Sequence, residues 1–370
     1  MKPSRKAFDF WIFITVIILL SLGTIMVFSS SAAVAYNIAK GDTYFFLKKQ
    51  LIMLPIALCA MFMAMNYDYK KLGKLSPVLL VFAIVLIILV LIPGIGIDRN
   101  GARRWIGFGG LDFQPSEFAK IAVILFFSFS LSKRKEQLQS FFKGLLPYLI
   151  LLGFIAGLLI LEPHKSCTIV IVLVIGIILF TAGAKVIHFV IMGAPVAVIF
   201  SLVIAIDEYS RKRILSFLDP FADKKGAGWQ VIQSLYAIGS GGLFGRGLGK
   251  SMQKYLYLPE PYNDFILAVL AEELGFIGVL VVILLFVIFI WRGIKISMNA
   301  PDVFGSLVAI GITSLVAVQA LLNVAVVTSS VPPTGVPLPF FSYGGTSLVF
   351  LMFSVGILLN ISRYSNYERL

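Results

Sequence analysis

Runs of about twenty apolar residues recur along the whole of this chain, each long enough to cross the hydrocarbon core of a bilayer. Ten are legible, at roughly 10–29, 46–66, 76–93, 116–132, 144–162, 166–183, 186–206, 265–291, 304–327 and 346–362. Lipid offers no water to unpaired backbone groups, so such runs fold as helices. The expected fold is an all-α polytopic membrane protein of about ten transmembrane helices, a single integral domain over residues 1–370. Charge content excludes a soluble domain: only 13% of residues are charged, 59% are hydrophobic, and the mean hydropathy is +0.97. Spans five and six are separated only by Glu162-Pro163-His164-Lys165 and should form a tight hairpin.

Lys2, Arg5 and Lys6 precede the first run, and Ala33-Val34-Ala35 resembles a signal-peptide cleavage site. The length of the run and the nine spans after it favour a retained first helix. Lysine and arginine in short loops set orientation. Fifteen, from Lys2 to Arg369 and including Lys135, fall on the side of the termini; seven fall on the other side outside the long 207–264 loop. Long loops cross regardless of charge, so both termini are expected in the cytoplasm. The 207–264 loop between spans seven and eight, with Lys225 in it, is then expected outside, as is 328–345. Cys59 and Cys167 both lie in apolar spans and read as buried structural cysteines. His164 and His188 are too isolated to make a metal cluster.

The polar residues concentrate in three outer segments. The first, 94–120, is Gly-rich and carries Arg103, Arg104 and Trp105; it reads as an irregular loop near a headgroup or as an interfacial anchor. Glu117 and Lys120 follow at i, i+3 spacing, suited to an ion pair. The second is the 207–264 loop. Trp229–Ile238 has the spacing of a short interfacial helix. After it, GSGGLFGRGLGK and the cations Arg246, Lys250 and Lys254 make a segment whose N–H groups could cradle an anion. The third, 328–347, has four prolines and three glycines and reads as a re-entrant or cavity-lining loop. Asn323, mid-span, should hydrogen-bond between helices. Asp264 ends the second segment where span eight begins, with Glu272 and Glu273 beyond it. It is either the N-cap of that helix or a functional carboxylate at the membrane edge.

FLDP (217–220), QSLYAIGSGGLFGRGLGKSMQK (233–254), YLPEPYNDFILAVLAEELGF (257–276), PPTGVPLPFFSYGGTS (332–347) and GARRWIGFGGLDFQPSEFAK (101–120) resemble the shape, elongation, division and sporulation family, whose members include FtsW, RodA and SpoVE. YLPEPYNDF and AEELGF look closer to the FtsW and SpoVE branch. The resemblance implies a multi-pass enzyme of the bacterial cytoplasmic membrane that polymerises lipid II on its outer face, for division or sporulation. It implies a catalytic role for Asp264 and functional places for Glu117 and Lys120 in a central cavity. Arg103, Arg104, Trp105, Gln233, Arg246, Lys250, Lys254, Asn263, Ser342 and Tyr343 lie in the resembling segments and are the further candidates for substrate contact. Many members have Q-P-D after the fifth span where this chain has Glu162-Pro163-His164, which leaves that carboxylate's role to Glu162 or to no residue.

The chemistry needs a base near an acceptor hydroxyl and positive charge near a pyrophosphate leaving group, with inversion and an undecaprenyl-pyrophosphate product. No cofactor is evident; a divalent cation, Mg or Mn, could aid the leaving group, though no ligand cluster stands out. The expected partners are lipid II, the growing glycan strand, membrane lipid, a class B penicillin-binding protein and other divisome or sporulation membrane proteins, with no nucleic acid. The alternative is a lipid II flippase. Against it, polar sequence gathers on one face and no repeat is evident.

Overall fold

The computed structural model describes residues 7–99, 102–108, 111–134, 138–206, 208–222, 228–255 and 257–365. Lys2, Arg5, Lys6, Lys135, Lys225 and Arg369 lie outside the described residues. A helix stands at each of the ten apolar runs: α1 (Phe10–Ile38), α2 (Phe45–Asn66), α3 (Tyr69–Leu91), α4 (Pro115–Lys133), α5 (Leu146–Leu161, entered through a π turn at Phe141–Leu145), α6 (Lys165–Thr181), α7 (Val186–Ile206), α10 (Ile266–Met298), α11 (Val303–Val327) and α12 (Gly345–Ser362). Eight of the described helices are long and apolar enough to cross a membrane. Two more, α8 (Glu208–Leu218) and α9 (Trp229–Gly241), lie in the long 207–264 segment. The second was expected near 229–238; the first, basic and only weakly apolar, was not.

The 94–120 segment departs from the irregular loop expected of it. It forms a three-stranded antiparallel sheet, β1 (Gly96–Arg99), β2 (Ala102–Phe108) and β3 (Leu111–Phe113). Alternation explains this: Ala102 and Ile106 on one face of β2 are buried, while Arg103 and Gly107 on the other are exposed.

One end of the bundle is tied by polar side chains. At one face Asp9 caps α1 by accepting from the Ile12 N–H, and its carboxylate meets Arg292 at 2.5 Å. Its own N–H donates to Ser362 Oγ at the end of α12. Asp302 caps α11 and accepts from Tyr69 Oη. Asn360 of α12 donates to the Met65 carbonyl and accepts from the Tyr69 N–H, across the α2–α3 turn. The first and last described helices therefore meet on one face.

The helices pack through small residues, as membrane helices do. A Cβ at Gly356 of α12 would lie 2.3 Å from the Met61 carbonyl oxygen of α2. One at Gly23, midway along α1, would lie 2.2 Å from the Phe340 carbonyl oxygen. The Pro-rich segment 328–344 therefore does re-enter the bundle, with Phe340 and Phe341 fully packed. Cys167 is buried, but Cys59 is exposed on α2, against expectation; it points away from the bundle.

Candidate active site

Asp264 is not the cap of α10. The helix starts at Ile266, with Phe265 before it and no side-chain cap. The Asp264 segment is held from outside instead. Asn323 of α11 donates its amide to both the Asp264 and the Val336 carbonyls, at 2.8 Å each. Its partners are thus two loops rather than a helix. Ser342 Oγ donates to the Asn263 carbonyl, and the Tyr343 N–H donates to the Tyr262 carbonyl. Three successive carbonyls are pinned, and the Asp264 carboxylate accepts no hydrogen bond among the described residues. Gly335, at φ +71°, passes so close that a Cβ there would lie 3.1 Å from Asp264 Oδ2. Only glycine combines that backbone with that contact.

The carboxylate lines a cavity of about 220 Å³ on the face opposite the termini. Arg104, Trp105, Glu117, Lys120, Asn263, Ser342 and Tyr343 share its walls. Glu117 and Lys120 are both buried at the start of α4, 2.8 Å apart, and Ser347 Oγ also donates to Glu117. Pro115 opens that helix and Glu117 sits in its first turn, where a carboxylate suits the helix dipole. Burial pushes the Asp264 carboxyl up to about 6; the Glu260 charge adds to this, and the Arg213 and Arg104 charges oppose it. A proton-accepting group poised near neutrality results.

The other candidates lie elsewhere. Arg103 is exposed on β2 and faces Asp98 at 3.9 Å. Gln233 is buried on α9, away from the cavity walls. Lys254 is buried against Glu273 at 2.8 Å and Ser29 at 3.1 Å, and Arg246 lies 3.6 Å from Glu272. Lys250 is exposed and stands apart from them. The Gly-rich stretch is not an anion cradle. Its Arg246 and Gly247 N–H groups donate to the Glu272 and Glu273 carbonyls, and its Gly242 and Leu243 carbonyls accept from Phe276 and Ile277. It clamps a break in α10 at Gly275, whose φ is +68°.

The 162–164 turn left two readings open, Glu162 in the missing carboxylate's role or no residue in it. Glu162 is fully buried behind the wall, and it is His164 that reaches the cavity. Sequence reasoning missed His164, Gln319 and Ser347 as lining residues. Gln319 carried a signal, being a polar side chain in mid-span; Ser347 carried only its place at the end of the resembling 332–347 segment. It also missed Arg213 of α8, whose Nη1 donates to the Pro333 carbonyl of the re-entrant segment.

The family model described as cell cycle protein, FtsW/RodA/SpoVE, matches residues 10–367. The chain belongs to this family. This FtsW/RodA/SpoVE protein is a multi-pass protein of the bacterial cytoplasmic membrane. It is 46% identical to stage V sporulation protein E of Bacillus subtilis over 99% of this chain and 100% of that one. It is 44% identical to the probable peptidoglycan glycosyltransferase FtsW of Trichlorobacter lovleyi, covering 98% and 95%. Its fold matches a solved structure reported as "Structural coordination of polymerization and crosslinking by a peptidoglycan synthase complex", with TM-score 0.80, 28% identity and coverage of 98% and 99%. The rod shape determining protein RodA of Thermus thermophilus matches with TM-score 0.70 and 26% identity, covering 96% and 97%.

Proposed function

We propose that this protein is a peptidoglycan glycosyltransferase that polymerises lipid II at the outer face of the membrane, with Asp264 as general base. The relatives' names support the reaction class. The observation that carries the assignment to Asp264 is a half-buried carboxylate with no hydrogen-bond partner among the described residues, on the wall of a cavity bearing Arg104 and Lys120. The carboxylate removes the proton from the C4 hydroxyl of the acceptor N-acetylglucosamine. The freed oxygen attacks the anomeric carbon of the donor N-acetylmuramic acid, the glycosidic bond forms with inversion, and undecaprenyl pyrophosphate departs. Arg104, Lys120 and the nearby Arg213 supply fixed positive charge for the leaving group.

A protein-built cation site does not fit here. Among the described residues no group of three or more His, Cys, Asp or Glu side chains could hold a metal. The cavity walls do carry the carboxylates Asp264, Glu117 and Glu260, but Glu117 is paired with Lys120 at 2.8 Å and Arg104 and Lys120 stand among them. A Mg or Mn ion would have to arrive on the pyrophosphate oxygens, and no step above passes through it.

Purified protein in liposomes with lipid II tests the reading, scored for glycan chains and for translocation. Chains are expected. Translocation without chains, with the partner present as well as without it, would favour a flippase. We also propose a class B penicillin-binding protein as that partner, by analogy with the synthase complex of the same fold. Co-purification and faster polymerisation in its presence are the expected results.

A further inference from the structure

The three-residue turn between α5 and α6, with the first turn of α6 behind it, reaches the sheet, the start of α4 and the re-entrant segment. Arg104 of β2 donates to the Pro163 carbonyl. Ser166 donates to the Thr334 carbonyl, beside the Gly335 that abuts Asp264. His164 Nδ1 lies 3.0 Å from Ser116 Oγ at the start of α4. The turn faces its two ionisable side chains in opposite directions. Glu162 points back, with both carboxylate oxygens buried and without hydrogen-bond partners among the described residues. His164 points forward into the cavity that Asp264 and Lys120 line.

Its ring is fixed by one edge. Nδ1 is engaged with Ser116, and Nε2 has no hydrogen-bond partner among the described residues. We propose that His164 is a substrate-contacting residue, its Nε2 edge hydrogen-bonding an uncharged polar group of the lipid-linked disaccharide, a hydroxyl or an acetamido group. This rests on the proposed function and deepens it by adding a sugar contact opposite the base. The charge around the ring decides the kind of group it meets. Arg104 and Lys120 are the charges that act on it, and no carboxylate hydrogen-bonds it, so the imidazole stays neutral; burial and those two cations push its pKa down to about 3. The cations can meet the pyrophosphate. A neutral group held among them matches the neutral part of the same molecule.

Asparagine places its amide near the Nδ1 position and glutamine near Nε2, so the two substitutions separate the edges of the ring. Binding of labelled lipid II to full-length protein in liposomes should be measured in an Asp264→Asn background, where no turnover intervenes. His164→Asn should keep the Ser116 bond and weaken binding about tenfold, while His164→Gln stays within about threefold of the parent. Ser116→Ala should cost about threefold at most, since the ring edge remains. If His164→Asn binds as the parent does, the contact does not exist. If all three variants weaken binding equally, His164 acts only by positioning α4, and the proposal also fails. The binding readout stands apart from the function reading, which falls if the wild-type protein makes no glycan. Should His164→Asn fail to fold, His164→Ala against His164→Gln gives the same contrast: loss in the first and retention in the second is the expected result, and equal binding overturns the proposal.

Discussion

Asp264 stands just before α10 and the pair Glu272–Glu273 about two turns into it, and their surroundings are opposite. Every oxygen of the pair is satisfied. Glu272 accepts from Ser251 Oγ and from the Met252 and Gln253 N–H groups. Glu273 accepts from Ser29 Oγ, the Ser251 N–H and Lys254 Nζ. Asp264 accepts none of these kinds of bond, while its backbone is held on three sides. A carboxylate with all its lone pairs occupied is a strut. One whose backbone is held rigid while its oxygens stay open to a cavity is kept for something that is not part of the protein.

The sharpest way to break this contrast is Asp264→Asn, which is nearly isosteric. It should fold and reach the membrane, yet polymerise lipid II about 10²–10⁴-fold more slowly, the usual contribution of a positioned base. Near wild-type polymerisation would make Asp264 a strut too. Glu273→Ala should give the converse. It strands Lys254 and should lower stability by about 3–5 kcal/mol, read as loss of monodisperse protein in detergent and a lower melting temperature. Glu117–Lys120 joins both kinds, being a buried pair that also lines the cavity. Lys120→Ala should lose polymerisation and folded yield together, and Lys120→Arg should recover only part, because the guanidinium fork differs from an ammonium.

Acid offers a milder perturbation. With the Asp264 carboxyl at about 6, polymerisation should climb as pH rises through that value and level off above it. Its contribution to stability has the opposite sign. A folded value above the ordinary 3.8 means the native state holds the proton more tightly, so that stability is present below 3.8 and is lost as pH rises through about 6. A pH–rate profile and melting curves of the parent and Asp264→Asn should show both trends, and both should vanish in the variant. The smallest effect concerns the clamp. A Cβ at Gly275 would lie 2.3 Å from the Gly245 N and 2.5 Å from the Leu243 carbonyl oxygen. Gly275→Ala should cost about 1–3 kcal/mol of stability, with catalysis per folded molecule largely kept.

The helices were plain in the sequence because a bilayer permits little else for twenty apolar residues. The ion pair at Glu117 and Lys120 was plain too, since i, i+3 spacing on one helix brings side chains together whatever surrounds it. Reach across the chain was not. Nothing local to Lys254 says that its ammonium meets Glu273 instead of a phosphate, because a buried cation and a binding cation look alike until the partner's position is known. The glycines misled for the same reason: free backbone N–H groups and N–H groups spent on a neighbouring helix have one sequence signature. His164 was set aside as isolated, and in sequence it is; the sheet, α4 and the re-entrant segment surround it only once the chain has folded.

The seam between α2 and α12 has a consequence for how the protein is made. Gly356 rests on the α2 backbone, Gly345 rests on Met53, and Asn360 holds the α2–α3 turn. Synthesis is vectorial, so the second helix enters the membrane long before the helix that completes its packing surface leaves the ribosome. Until then the buried face of α2 is open to lipid and to other inserted chains. The re-entrant segment, which bounds Asp264, is threaded into place only in the final stage, between α11 and α12. A chain stopped short of α12 would be no slower version of the enzyme but an unfinished one, lacking the wall against which its carboxylate is set. Biogenesis therefore completes the cavity last, and a nascent chain carries Asp264 before the wall it faces exists.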